Sequence, residues 1–149
     1  MKYRVNKNIV LDTKCESYVT ALSFYEDKDT LLLINGNTEP YTFERLMMMY
    51  ENQRACQELY FIYYNGKMIG DVGFSNKDIP IVILPEFRGK GIATAIIEFL
   101  IKKAQKYGYK RLEVEDIYNY NIASKRLFES FGFKPFKKTD KGYSYFLEI

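Results

Sequence analysis

One junction in the middle of the chain restricts the possible folds. The apolar run Ile79–Leu84 passes into the segment PEFRGKG at 85–91, and a long amphipathic stretch follows. From Ile92 to Ala104 the apolar residues recur at three- and four-residue spacing, which places them on one face of a helix that ends near Gly108. The junction is therefore a strand, a glycine loop and a helix whose apolar face must pack on a sheet.

Strand and helix patterns alternate along the rest of the chain. We expect a strand at 3–10, helices at 17–25 and 43–50, a hairpin of 59–64 and 68–74, a strand at 111–117, a helix at 121–131, and two strands around 141–142. No repeat or linker-like stretch interrupts them, so 1–149 is expected to be a single domain. The pattern predicts an α+β fold with a mixed, partly parallel central sheet of about seven strands and helices on both faces.

Composition excludes several classes of protein. The net charge is +3 without a dense basic stripe, which argues against a nucleic-acid partner. The chain has no histidine, and neither Cys15 nor Cys56 belongs to a CxxC unit, so neither a zinc site nor a disulfide framework is expected. No stretch approaches the roughly 18 apolar residues of a membrane span, and no signal-like segment begins the chain. We expect a cytoplasmic protein without a membrane partner.

The glycine loop is suited to binding a diphosphate. Glycines allow the backbone to approach phosphate closely, a helix N-terminus offers unpaired N–H groups, and Arg88 and Lys90 add positive charge. A tight strand-to-helix turn would use the same glycines without any ligand. The Walker A pattern fits no segment, and the dinucleotide fingerprint has Thr94 in place of its third glycine, with too little chain after it for a doubly wound domain.

Two segments resemble the signature of the GNAT superfamily of acetyl-CoA-dependent N-acetyltransferases. Arg88, Gly91 and Ala93 match [Q/R]-x-x-G-x-[G/A], and NIASKRLFESFGF at 121–133 is similar to the family's N-x-x-[A/S]-x-x-[L/V]-x-E-x-x-G-F helix. Together they cover roughly residues 68–135. The resemblance is to the branch that acetylates ribosomal-protein N-termini and small amines.

This resemblance implies where acetyl-CoA binds. The loop amides would hold the diphosphate, the end of the preceding strand would hold the acetyl carbonyl and pantetheine arm, and the later helix would line the channel. The cofactor-binding residues so implied are Ile83, Leu84, Arg88, Gly89, Lys90, Gly91, Ile92, Ala93, Thr94, Asn121, Ser124, Lys125 and Phe128. No metal is expected. A valine at position 91 is expected to block CoA while changing helix stability little.

The catalytic acid and base are less defined. The acidic run at 113–116 supplies Glu113 and Asp116 as candidate bases, although strand alternation would equally place such residues on a solvated face. Many relatives have a tyrosine acid where this chain has Phe128. Substitute proton donors are Tyr118, Tyr120, Tyr143 or water.

The function implied is direct acetyl transfer to a primary amine in a ternary complex. The acceptor would be a peptide N-terminus, a polyamine or an aminoglycoside-like amine. A site that lacks an obvious general base and acid fits the less basic α-amines slightly better. The alternative is a non-catalytic acyl-CoA-binding sensor or scaffold, motivated by the missing tyrosine. Either a monomer or a homodimer is compatible with the sequence.

Overall fold

The computed structural model describes all 149 residues and contains eight strands and five α-helices. The strands are β1 (Lys2–Arg4), β2 (Ile9–Asp12), β3 (Glu58–Tyr64), β4 (Lys67–Phe74), β5 (Ile81–Ile83), β6 (Arg111–Tyr118), β7 (Lys134–Lys138) and β8 (Gly142–Glu148). The helices are α1 (Tyr18–Leu22), α2 (Lys28–Asn35), α3 (Phe43–Cys56), α4 (Ile92–Lys106) and α5 (Ile122–Ser130). Short 3₁₀ turns follow α1 and β5.

The strands form two antiparallel sheets, which corrects the prediction of one partly parallel sheet of about seven strands. The first sheet has the order β1-β2-β3-β4-β5 and the second β6-β8-β7. β5 and β6 do not pair with each other. The Glu113 N–H donates to the carbonyl of Asn76 at 2.9 Å, and the Glu115 N–H donates to Asp78 Oδ1 at 3.0 Å. These bonds join the sheets at one end and leave a gap between β5 and β6.

Helices cover both faces of the first sheet, as the sequence predicted. Side chains alternate along β3, so Tyr60 and Ile62 face one core and Leu59 and Phe61 face the other. α4 and α5 close the first core, whereas α1, α2 and α3 close the second. The expected α+β class is therefore confirmed, with the glycine loop at the edge of the gap.

Local signals explain most element boundaries. Asn65 and Gly66 both have positive φ, at 50° and 84°, as a type I′ hairpin turn requires. The expected strand at 3–10 is a hairpin of β1 and β2, because Asn6 Oδ1 accepts the N–H groups of Asn8 and Ile9 and turns the chain. The sequence analysis missed α2. Its N-cap is Asp27, which accepts the Thr30 N–H at 2.9 Å, and it ends at Gly36 in the left-handed conformation.

Candidate active site

A cleft of about 470 Å³ follows the start of α4, with β5 on one side and α5 and α2 on the others. The second sheet and the first approach each other at this gap. The cleft is lined by Thr30, Leu33, Ile34, Ile81, Val82, Ile83, Phe87, Arg88, Gly89, Gly91, Ile92, Ala93, Thr94, Asn121, Ala123, Ser124, Arg126, Leu127 and Ser130.

The glycine loop presents an unusual run of free backbone donors. Gly89 and Gly91 have φ of 75° and 79°, and no side chain caps the start of α4. As a result, the six consecutive N–H groups from Gly89 to Thr94 donate to no group of the protein. Such a cluster at a helix N-terminus favours an anion, and Arg88 adds a positive charge beside it. The residues thus fit a diphosphate.

Gly91 is not a helix residue, which corrects the expectation that valine there would be harmless to the fold. It is the N-cap of α4 in the left-handed conformation. A Cβ at this position would meet no heavy atom within 4 Å, so the cost of a side chain in the free protein is conformational rather than steric.

The edge of β5 offers further backbone groups to the cleft. The Leu84 N–H donates to the Ile69 carbonyl at 2.9 Å, and the Gly73 N–H donates to the Pro80 carbonyl at 2.9 Å. Because bonding alternates along an antiparallel ladder, Ile81 and Ile83 direct their N–H and C=O groups away from β4. Of the two amides singled out in the sequence, the structure leaves Ile83 free and engages Leu84 within the sheet.

α5 forms the facing wall. Asn121 is only 9% exposed, and its Oδ1 caps the helix by accepting the Ser124 N–H at 3.2 Å. Both residues line the cleft, but Lys125 and Phe128 do not. Phe128 lies in the core, where its ring packs edge-on against Phe133 with the centroids 5.2 Å apart. The helical period explains the difference, since 123, 124, 127 and 130 share one face. Lys90 also lies outside the cleft lining.

The structure does not bring the predicted bases to the cleft. Glu113 forms ion pairs with Arg111 at 3.0 Å and Lys77 at 3.7 Å. Asp116 sits at an irregularity of β6 with φ of 36°. Both line a different groove, between β6 and the β7–β8 turn. No carboxylate lines the cleft itself.

The candidate tyrosine acids also lie outside the cleft lining. The Tyr120 hydroxyl donates to the Leu32 carbonyl at 2.5 Å, and its ring packs on Tyr118 with the centroids 5.1 Å apart. Tyr143 lies on β8 opposite Ile117. Tyr120 therefore anchors α2 to the start of α5.

Sequence reasoning missed the contribution of α2 to the cleft. Thr30, Leu33 and Ile34 all line it. The Arg88 guanidinium reaches across to α2 and donates to Thr30 Oγ1 at 2.5 Å. The signal that could have indicated this helix is a typical N-cap residue, Asp27, followed one short helix later by a typical C-terminal glycine, Gly36.

A buried carboxylate lies beside the cleft without lining it. Asp71 pairs with Val82 across β4 and β5 and is 2% exposed. Its Oδ2 accepts the hydroxyls of Tyr25 and Tyr50, both at 2.7 Å. Burial raises the pKa of Asp71 to about 6, although these two hydrogen bonds oppose the rise. No cationic side chain lies within 4 Å of it.

No group of three or more His, Cys, Asp or Glu side chains is arranged to hold a metal ion. No helix is long and apolar enough to cross a membrane.

Comparisons with known proteins agree with this architecture. The family model described as "Acetyltransferase (GNAT) family" matches residues 19–133. A search of curated protein sequences gave no match. Among solved structures, a domain from Methanocaldococcus jannaschii DSM 2661 is 21% identical with a TM-score of 0.84, covering 97% of this chain and all of that one.

Two other solved structures are similar. RimL, described as a ribosomal L7/L12 alpha-N-protein acetyltransferase in complex with coenzyme A, is 19% identical with a TM-score of 0.81, covering 100% of this chain and 98% of that one. The microcin C7 self-immunity acetyltransferase MccE, in complex with acetyl-CoA and AMP, is 24% identical with a TM-score of 0.73, covering 97% of this chain and 94% of that one. At these identities the likeness shows a shared fold.

Proposed function

The chain belongs to the GNAT family of acetyltransferases and is an acetyl-CoA-dependent enzyme; we propose that it transfers the acetyl group directly to a primary amine. The observation that carries this proposal is the run of six free N–H groups from Gly89 to Thr94 beside the free edge of β5. The run of N–H groups suits a diphosphate, and the free edge of β5 suits the amide groups of a pantetheine arm.

Each wall of the cleft has a separate binding role in this proposal. The amides of 89–94 and the Arg88 guanidinium hold the diphosphate. Ile81 and Ile83 offer backbone groups along β5, while Asn121 and Ser124 border the opposite wall. Acetyl-CoA, when bound, supplies an acetyl group activated as a thioester.

Direct transfer needs no nucleophilic side chain. The amine nitrogen forms a bond to the acetyl carbon, the carbon–sulfur bond breaks, the nitrogen loses one proton and the sulfur gains one. The Ile83 N–H is positioned on the cleft side of β5 to donate to an oxygen that becomes negative during attack. Neither Cys15 nor Cys56 lines the cleft, which favours a ternary complex over an acetyl-enzyme.

The lack of a carboxylate in the cleft favours an acceptor of low basicity. At pH 7.5 an α-amine with a pKa near 7.8 is neutral roughly 250 times more often than a lysine-type amine near 10.4. The α-amine therefore loses its proton to water before attack at little cost. We propose a peptide or small-molecule α-amine as the acceptor and water as the base, so that this step does not need Glu113 or Asp116, which lie outside the cleft.

The test combines binding with turnover. Calorimetric titration of CoA into the protein measures binding, and thiol release from acetyl-CoA measures transfer to a panel of amines. The panel contains a peptide with a free N-terminus, its N-terminally blocked lysine-containing counterpart, a polyamine and an aminoglycoside. We expect CoA binding and preferential turnover of the free N-terminus. Binding without turnover of any amine would support the sensor alternative, and preference for the blocked lysine peptide would contradict the α-amine proposal.

A further inference from the structure

We propose that Thr30 is a positioning residue for CoA binding, which acts by fixing the Arg88 guanidinium at the rim of the diphosphate loop. This inference rests on the proposed function. Thr30 lies in the first turn of α2, is 58 residues away from Arg88 in sequence, and belongs to neither motif of the family signature.

The Thr30 hydroxyl is the central member of a chain of three side chains. Its Oγ1 accepts a hydrogen bond from Arg88 Nη2 at 2.5 Å and donates one to Asp27 Oδ2 at 2.9 Å. Asp27 Oδ2 also accepts the Thr30 N–H at 2.9 Å. Thr30 is 2% exposed, so its hydroxyl has these two partners in place of water. A buried hydroxyl that both accepts and donates has a fixed orientation.

Asp27 is suited to hold the end of this chain. Hydrogen bonds from the Thr30 N–H and hydroxyl lower the pKa of Asp27, and the nearby Arg88 charge lowers it further. The carboxylate is therefore ionised at neutral pH and can only accept hydrogen bonds. It fixes the direction of the Thr30 proton and leaves an oxygen lone pair of Thr30 directed at Arg88.

Arg88 keeps most of its binding capacity in this arrangement. A guanidinium has five N–H donors, and the bond to Thr30 uses one of them. Arg88 has no carboxylate within 4 Å, so no ion pair competes for its charge. It directly precedes the six free amides of 89–94. A long flexible side chain is thereby held next to an anion site before the anion arrives, which reduces the entropy lost on binding.

A double-mutant cycle tests the inference. Thr30→Val keeps the branched shape but removes the hydroxyl, Thr30→Ser restores the hydroxyl, and Arg88→Met removes the guanidinium. Calorimetry measures the Kd of CoA for each single variant and for the double variant. We expect Thr30→Val to raise this Kd about tenfold, as for the loss of a hydrogen bond to a charged group. The Kd of Thr30→Ser should stay within about twofold of the wild-type value. In the Arg88→Met background, Thr30→Val should raise the Kd no further.

Pantetheine, which lacks the diphosphate, separates positioning from cleft shape. Its affinity, measured by competition against acetyl-CoA, should be the same for wild type and Thr30→Val. Thr42→Val is the matched control, because Thr42 caps α3 by accepting the Arg45 N–H at 3.1 Å and does not line the cleft. It should leave the Kd of CoA unchanged. Thr30→Ala replaces Thr30→Val if circular dichroism shows the latter to be unfolded.

Three results would overturn the inference. The first is an unchanged Kd of CoA for folded Thr30→Val, and the second is an equal loss of CoA affinity with Arg88 present or absent. The third is an equal loss of pantetheine affinity, which would assign Thr30 to cleft shape. Failure of the wild-type protein to bind CoA would instead refute the proposed function, so the two failures are distinguishable.

Discussion

Replacing Asp71 with asparagine should flatten the pH dependence of stability. Folding raises the pKa of this carboxyl from 3.8 to about 6, chiefly through burial. The folded state thus holds a proton more tightly than the unfolded state, and stability falls as pH rises from about 4 to about 6. A difference of about two pH units at 1.36 kcal/mol each corresponds to a cost of about 3 kcal/mol above pH 7.

The asparagine variant removes this titration but keeps an acceptor. Its Oδ1 can take the place of the oxygen that receives the Tyr25 and Tyr50 hydroxyls. We therefore expect Asp71→Asn to be at least as stable as wild type at pH 7.5. Relative to wild type it should lose most of the 3 kcal/mol on going to pH 4. The similar rise of the Asp78 pKa to about 6 persists in both proteins and cancels in the comparison.

Urea denaturation at several pH values measures the effect. The chain has no tryptophan, so far-UV circular dichroism is the natural probe. Asp12→Asn is the matched control, because Asp12 is another buried strand aspartate, whose carboxylate accepts the Lys14 N–H at 3.0 Å. A constant difference between Asp71→Asn and wild type from pH 4 to pH 7.5 would refute the reasoning.

Three further substitutions test the site. Ile83→Pro removes an N–H that the sheet does not use, so we expect a folded enzyme with turnover lowered about 100-fold. Ile83→Ala keeps the N–H and should retain turnover. Equal losses of turnover in both variants would contradict the role of the backbone N–H. Gly91→Val should lower the free energy of unfolding by about 1–2 kcal/mol because position 91 has a positive φ. It should also abolish CoA binding in calorimetry. Wild-type affinity for CoA would mean that the diphosphate site is wrongly assigned to this loop. Glu113→Gln should change turnover less than twofold in the thiol-release assay, because Glu113 lies outside the cleft. A large loss of turnover at unchanged CoA affinity would instead identify Glu113 as the base.

Sequence patterns were sufficient where the structure depends on neighbouring residues. The hairpin around Asn65 and Gly66, the long apolar stripe of α4 and the helix that begins after Asn121 each follow from local geometry, and the hairpin, the stripe and the helix were predicted. α2 was missed because its apolar run, Leu31–Ile34, is too short to show a helical period.

The remaining differences arise from contacts between distant residues. β5 and β6 do not pair, and β6 instead bonds to Asn76 and Asp78, which hydrophobic periodicity could not predict. Phe128 matched a family position, but its place in the core depends on Phe133 across the end of α5. The Arg88 motif was recognised, whereas its partner Thr30 could be identified only in three dimensions.

Each sheet is assembled from one continuous part of the chain, and this arrangement bears on how the protein moves. Strands β1 to β5 follow one another in space as in sequence, and β6 to β8 form a separate sheet that shares one apolar core with the first. The cleft lies where β5 and β6 are not hydrogen-bonded to each other, and it should open at lower free energy than either sheet. A ligand that touches both sides acts as a non-covalent cross-link between them. Slowed amide hydrogen exchange on both sides of the gap, in β5 and in α5, would be its signature.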